Sequence, residues 1–167
     1  MEAENTYQVF NWLWTSGQLT EKDIRTLPQL GIRTVINLSP PSSSSALKGE
    51  AEMVADLGMT YIQIPVKWDQ PTVDQFAQFC NVLKTHEGKA CWVHCAMNMR
   101  VSAFLYLYRR LYMNDEQEAA GELMREIWEP NEVWKTFIDN VMDMMARHRQ
   151  KMNTGSQPRL RPAMGSS

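Results

Sequence analysis

The chain is short of cysteine, of long apolar runs and of positive charge, and each shortage removes a class of protein. Three cysteines in 167 residues are an odd number without framework spacing, which argues against a disulfide-stapled secreted domain and for a reducing compartment. No stretch approaches the about 18 uninterrupted apolar residues of a membrane span. The opening MEAENTYQVF lacks the basic start and apolar run of a secretory signal. Lys and Arg number 17 against 19 Asp and Glu, a net charge of −2, so nucleic acid is not an expected partner. Hydrophobic residues make up 44%, enough for a packed core. The expectation is a soluble cytoplasmic protein with no membrane partner. Its length suits one domain over residues 1–150, with a disordered tail over 151–167 where apolar side chains thin out.

Strands and helices alternate along that domain. Trp12 to Thr15 reads as a short strand followed by the turn Ser16-Gly17-Gln18. Thr20 is a helix N-cap with Glu21 and Asp23 in the first turn, where the helix dipole favours anions. Ile24, Leu27 and Leu30 recur at helical spacing up to Gly31. Ile32 to Leu38 is short and β-branched, as a buried strand should be, and Ser39 to Ser45 is a loop. Met53, Val54 and Leu57 mark a second helix closed by Gly58, with a strand from Met59 to Ile64. Thr72 and Gln75 make a capping box for a third helix with the apolar face Val73, Phe76, Ala77, Cys80 and Leu83. Ala90 to His94 is the last strand. VSAFLYLYRRLY is apolar on nearly all sides, a buried helix. Asn114 is expected to cap a helix reaching Trp128, and Val133, Trp134, Phe137, Ile138, Val141 and Met145 stripe a final one. This order predicts an α/β fold, a mostly parallel central sheet flanked by helices. Ligands bind such sheets beyond the carboxyl ends of the strands.

The segment after Ala90–His94 is therefore the candidate site. His94-Cys95-Ala96-Met97-Asn98-Met99-Arg100 joins a buried strand to a buried helix, so backbone N–H groups and the helix dipole converge on the loop. Alone, Cys95 reads as a small buried hydrophobe. In this setting the helix terminus and Arg100 would both favour its thiolate, and Arg100 offers a planar two-donor fork to phosphate oxygens. Nucleophile, anion cradle and fixed positive charge fall within six consecutive residues, with Ala96, Met97, Asn98, Met99 and Arg100 as the anion-binding set.

This stretch resembles the signature loop of protein tyrosine and dual-specificity phosphatases, with Asn98 where that loop usually has Gly. More closely, the chain resembles bacterial phosphatase-like proteins related to the N-terminal domain of beta-lactamase-hydrolase-like proteins, over roughly residues 12–110. The matching pieces are Ser16-Gly17-Gln18, Gly31 to Leu38, Ile64-Pro65-Val66 and Val93-His94-Cys95. The resemblance implies a cysteinyl-phosphate intermediate on Cys95, a phosphoprotein or small phosphomonoester as substrate, and no metal or other cofactor. It also implies an Asp general acid on an upstream loop. Asp69, 26 residues before Cys95 and between Trp68 and Pro71, matches best, with Glu50 and Glu52 behind it.

Two features depart from the phosphatase pattern. Four residues separate Cys95 from Arg100 where the signature has five, and one residue is worth up to ~3.5 Å of contour. Val101 stands where Ser or Thr usually follows the Arg, with Ser102 one step later. The shorter loop also resembles rhodanese-type sulfurtransferases, in which the cysteine carries a persulfide. Both that chemistry and a non-catalytic phosphate-binding module stay open. Cys91 and Cys95, ~13 Å apart along a strand, are too distant for a disulfide or a shared zinc. His94 is expected to orient the loop, and Met97 and Met99 to give its rim apolar character.

Overall fold

The computed structural model describes residues 1–154. Five strands, β1 (Tyr7–Phe10), β2 (Leu13–Ser16), β3 (Thr34–Asn37), β4 (Thr60–Gln63) and β5 (Cys91–His94), form one sheet in the order β1-β2-β5-β3-β4. Only β1 runs antiparallel; the pairings of β2 with β5, β5 with β3 and β3 with β4 are parallel. The expected α/β architecture is the observed one. The register sets Ser16, His94 and Asn37 side by side at the carboxyl edge, so the loops after β2, β3 and β5 leave the sheet together.

The helices are α1 (Glu21–Thr26), α2 (Glu50–Asp56), α3 (Val73–Thr85), α4 (Met99–Leu111), α5 (Gln117–Ala120), α6 (Glu122–Ile127) and α7 (Glu132–Thr154). Side-chain alternation along β5 divides the core. Trp92 packs with Leu19, Ile24, Val35 and Val54 on one face, while Cys91 and Val93 join Phe79, Phe104, Leu107 and Trp134 on the other. Every residue of α4 from Arg100 to Tyr108 is buried, which explains why its sequence shows no polar face. Phe104 lies edge-on to Phe76 and Phe79 and stacks on Phe137, tying α3, α4 and α7 together.

Both caps form as the residues dictate. Thr20 Oγ1 accepts from Asp23 N–H while the Asp23 carboxylate accepts from Thr20 N–H. Thr72 and Gln75 reciprocate in the same way, and Gln75 Nε2 also holds the Pro65 carbonyl at 2.9 Å.

Four details differ from the sequence expectation. Strand β1 lies outside the expected elements: four residues at the sheet edge, held by pairing with β2 alone, are too short to show a period. The first helix tightens into a 3-10 turn over Leu27–Leu30, with Pro28 at its start. Asn114 caps nothing: it takes a left-handed conformation (φ 56°), and the chain to Trp128 breaks at Gly121 into α5 and α6. Helix α7 runs through Thr154, so residues 151–154 of the expected tail are helical, and 155–167 lie outside the described residues.

Candidate active site

The loop from Cys95 to Asn98 connects β5 to α4, and its backbone is turned by contacts from behind. The Ala96 carbonyl accepts from Gln18 N–H at 2.9 Å, and the Met97 carbonyl accepts from Asn5 Nδ2 at 3.0 Å. With carbonyls pulled outward, the peptide planes present their N–H groups to the opposite side. Met99 and Arg100 lie in the first turn of α4, where amide N–H groups have no acceptor within the helix. Asn98 makes the bend at φ 67°, a conformation Asn tolerates better than most residues. Its Nδ2 is shared between the Asn5 carbonyl at 2.8 Å and Thr15 Oγ1 at 2.9 Å. Gly17 is needed for closeness: a Cβ there would lie 2.6 Å from the Ala96 oxygen.

Arg100, 6% exposed, closes the cradle from the first turn of α4. One terminal nitrogen donates to the Val66 carbonyl at 2.9 Å and the other to Ser39 Oγ at 3.1 Å. Its Nε is buried and has no partner. A buried cationic donor left unpaired is costly, and an anion beside it would supply the missing acceptor. The guanidinium carbon also sits 5.8 Å from the Trp68 ring centroid, within range of a cation–π contact.

These parts surround a pocket of about 260 Å³ lined by Ser43, Ser44, Ser45, Trp68, Cys95, Ala96, Met97, Met99 and Arg100. A larger hollow of about 350 Å³ between β1 and α6 is lined by no cysteine, serine or threonine. The pocket brings together Cys95, Arg100 and three of the four intervening residues, with Asn98 buried behind them. Asp69 is not among the lining residues. It is exposed in the Lys67–Gln70 turn, next to Trp68. Glu50 does not face the pocket either; it is buried and both carboxylate oxygens are engaged, one by Gln18 Nε2 and one by His94 Nε2. Ser102 turns away, its hydroxyl donating to the Met99 carbonyl and accepting from Trp128 Nε1, so it does not replace the hydroxyl missing at Val101.

All three thiols are buried, but their surroundings differ. Burial pushes Cys80 up to about 12 and Cys91 up to about 11, so both stay neutral core thiols, whereas Cys95 lines the pocket. Asn5, Gln18, Ser39 and Val66 were not singled out from sequence as holders of the loop and the arginine. Gln18, inside the Ser16-Gly17-Gln18 match, and Val66, inside Ile64-Pro65-Val66, carried a signal; Asn5 and Ser39 carried none. Among the described residues no group of acidic, His and Cys side chains could hold a metal, and no helix is long and apolar enough to cross a membrane.

Comparison with known proteins fits this geometry. The family model described as DSP-PTPase phosphatase fused to NAD+ kinase matches residues 2–141, and the chain belongs to that family. A DUF442 protein of Shewanella putrefaciens CN-32 is similar in structure at 31% identity, covering 86% of this chain and 95% of that one, with a TM-score of 0.76. Two more distant structures share the fold. The catalytic domain of the PP-IP phosphatase SIW14 from S. cerevisiae is 15% identical over 95% of this chain and 99% of its own, with a TM-score of 0.71. P. aeruginosa TpbA in complex with pTyr is 15% identical over 90% and 91%, at 0.62. No curated protein matches the chain significantly.

Proposed function

We propose that the chain is a cysteine-dependent phosphomonoester hydrolase of the tyrosine or dual-specificity type, with Cys95 as nucleophile. The observation that carries this reading is the buried, unpaired Nε of Arg100, on a side chain that lines one pocket with Cys95, Ala96, Met97 and Met99. In the first step the Cys95 thiolate attacks phosphorus, the S–P bond forms and the P–O bond to the leaving group breaks. The amides of residues 96–100 and Arg100 hold the equatorial oxygens as charge develops. Asp69, one residue from the pocket-lining Trp68, protonates the leaving oxygen and then takes a proton from the hydrolytic water. Water breaks the S–P bond, releasing inorganic phosphate and the thiolate.

The lining also bears on the substrate. Arg100 is the one cation among the lining residues, which suits a single phosphate rather than a polyphosphorylated ligand. Trp68 and Met97, 40% and 38% exposed, offer apolar surface to an aryl leaving group such as a tyrosine side chain. A cytoplasmic, reducing location suits a mechanism that needs a free thiol.

The four-residue spacing favours a second reading, sulfur transfer through a Cys95 persulfide. Paired assays on an aryl phosphate, and on thiosulfate with cyanide, separate the two. Phosphate release in the presence of a chelator, abolished by Cys95→Ser, is the expected result. Thiocyanate formation without phosphate release would overturn it.

A further inference from the structure

Directly behind the cradle lies a buried carboxylate with no part in the steps above. Glu50 opens α2 and is 4% exposed. Its Oε1 accepts from Gln18 Nε2 at 2.6 Å, and its Oε2 lies 2.6 Å from Nε2 of His94, which is wholly buried. The other ring nitrogen, Nδ1, is 3.2 Å from the Cys95 carbonyl oxygen.

Hydrogen inventory decides what this arrangement means. A carbonyl oxygen only accepts, so Nδ1 carries a hydrogen. At the short Glu50 contact one proton lies between ring and carboxylate. The pair is then either imidazolium with carboxylate or neutral imidazole with carboxylic acid. Both have zero net charge and both keep Nδ1–H on the Cys95 carbonyl. Without Glu50, a neutral His94 could carry its hydrogen on Nε2, setting an Nδ1 lone pair against that carbonyl. The Cys95 carbonyl shares a rigid peptide plane with Ala96 N–H, the first donor of the cradle.

We propose that Glu50 is a positioning residue: by fixing the protonated nitrogen of His94 it fixes the Cys95–Ala96 peptide, and with it the direction of the first anion-binding amide. Gln18 serves both neighbouring peptides. Its side chain steadies Glu50, and its backbone N–H holds the Ala96 carbonyl. The inference rests on Cys95–Arg100 being an anion site, but its test does not depend on turnover.

The test compares Glu50→Ala with Glu50→Gln, using inorganic phosphate titration, aryl phosphate kinetics and nitrogen-15 NMR of the three histidines. The parent should show His94 protonated at Nδ1. Glu50→Ala should lose roughly tenfold to a hundredfold in kcat, as loss of an orienting partner does for histidine ligands elsewhere, and should bind phosphate more weakly. Glu50→Gln should keep most of both, because its amide can donate to Nε2 while its oxygen still accepts from Gln18. Three results would each overturn the proposal: an unprotonated Nδ1 in the parent, a Glu50→Ala variant equal to the parent, or a Glu50→Gln variant as impaired as Glu50→Ala. If Glu50→Ala does not fold, the parent spectrum and Glu50→Gln decide. A parent that hydrolyses no phosphate ester would count against the proposed function alone, while the spectrum and the titration would still judge Glu50.

Discussion

Two loops border the pocket, and they are held in opposite ways. The Cys95–Asn98 loop is tied from behind through Gln18, Asn5 and Thr15, all by hydrogen bonds to backbone or to the bend residue. The Lys67–Gln70 loop is held by aromatic packing instead. Trp68 lies 5.3 Å from the Trp128 ring and 5.9 Å from that of Trp134, whose indole N–H donates to the Trp68 carbonyl at 2.8 Å. The next residue, Asp69, is left in solvent. The Cys95–Asn98 loop is thus braced by hydrogen bonds from neighbouring segments, while the proposed proton donor is exposed beside an anchored tryptophan. That division suits a two-step reaction in which one group must bind the same oxygens throughout and the other must first give a proton and then take one.

The largest effect should come from the cradle's nucleophile. Cys95→Ser should abolish phosphate release, since a serine hydroxyl at its ordinary acidity is a poor nucleophile, and single-turnover assays would detect any residue of activity. On the other loop, Asp69→Asn should cut rates on poor leaving groups by ~10²–10⁴-fold and affect nitrophenyl phosphate much less. An Asp69→Asn variant with unchanged rates on alkyl phosphates would remove the contrast between the loops. Arg100→Lys keeps the charge but loses the fork that meets Val66, Ser39 and the anion together. It should weaken phosphate binding by ~1.5–3 kcal/mol, measured by calorimetric titration, and lower the melting temperature without unfolding the chain, because the bonds to Val66 and Ser39 are buried. The smallest effect on activity belongs to the aromatic anchor: Trp134→Phe removes the bond to the Trp68 carbonyl and part of a wholly buried ring, so it should cost more than the about 1 kcal/mol of the bond alone in stability, read from a denaturant midpoint.

The thiols sharpen the comparison further. Because burial holds Cys80 near about 12 and Cys91 near about 11, neither forms thiolate at neutral or mildly basic pH. Alkylation in that range should fall on Cys95 alone and should slow when phosphate is added. Equal labelling of all three would remove Cys95 from its proposed role.

The sequence showed the strands and helices that bury apolar residues on a regular period, the Thr20 N-cap and the Thr72–Gln75 capping box, because those signals are local. It also showed the Cys95–Arg100 loop, since strand, thiol, arginine and helix are contiguous. It did not show β1, whose order comes from pairing with β2, nor the break at Gly121. The braces were illegible for a related reason. Asn5 and Asn98 are 93 residues apart, Arg100 and Ser39 are 61 apart, and Glu50 and His94 are 44 apart. No period or spacing links such pairs; only the sheet register, by lining up Ser16, Asn37 and His94, brings their loops together. Glu50 shows the cost most clearly: as an isolated carboxylate it resembled a spare acid, and its burial against His94 gives it a different place.

The central claim is that Cys95 carries the phosphoryl group between two halves of a hydrolysis. Mass spectrometry of the protein quenched during turnover of an aryl phosphate tests this directly. The account predicts a phosphate adduct on the peptide containing Cys95, absent from Cys95→Ser. An adduct on another residue, or Cys95 unmodified while phosphate is released, would contradict it.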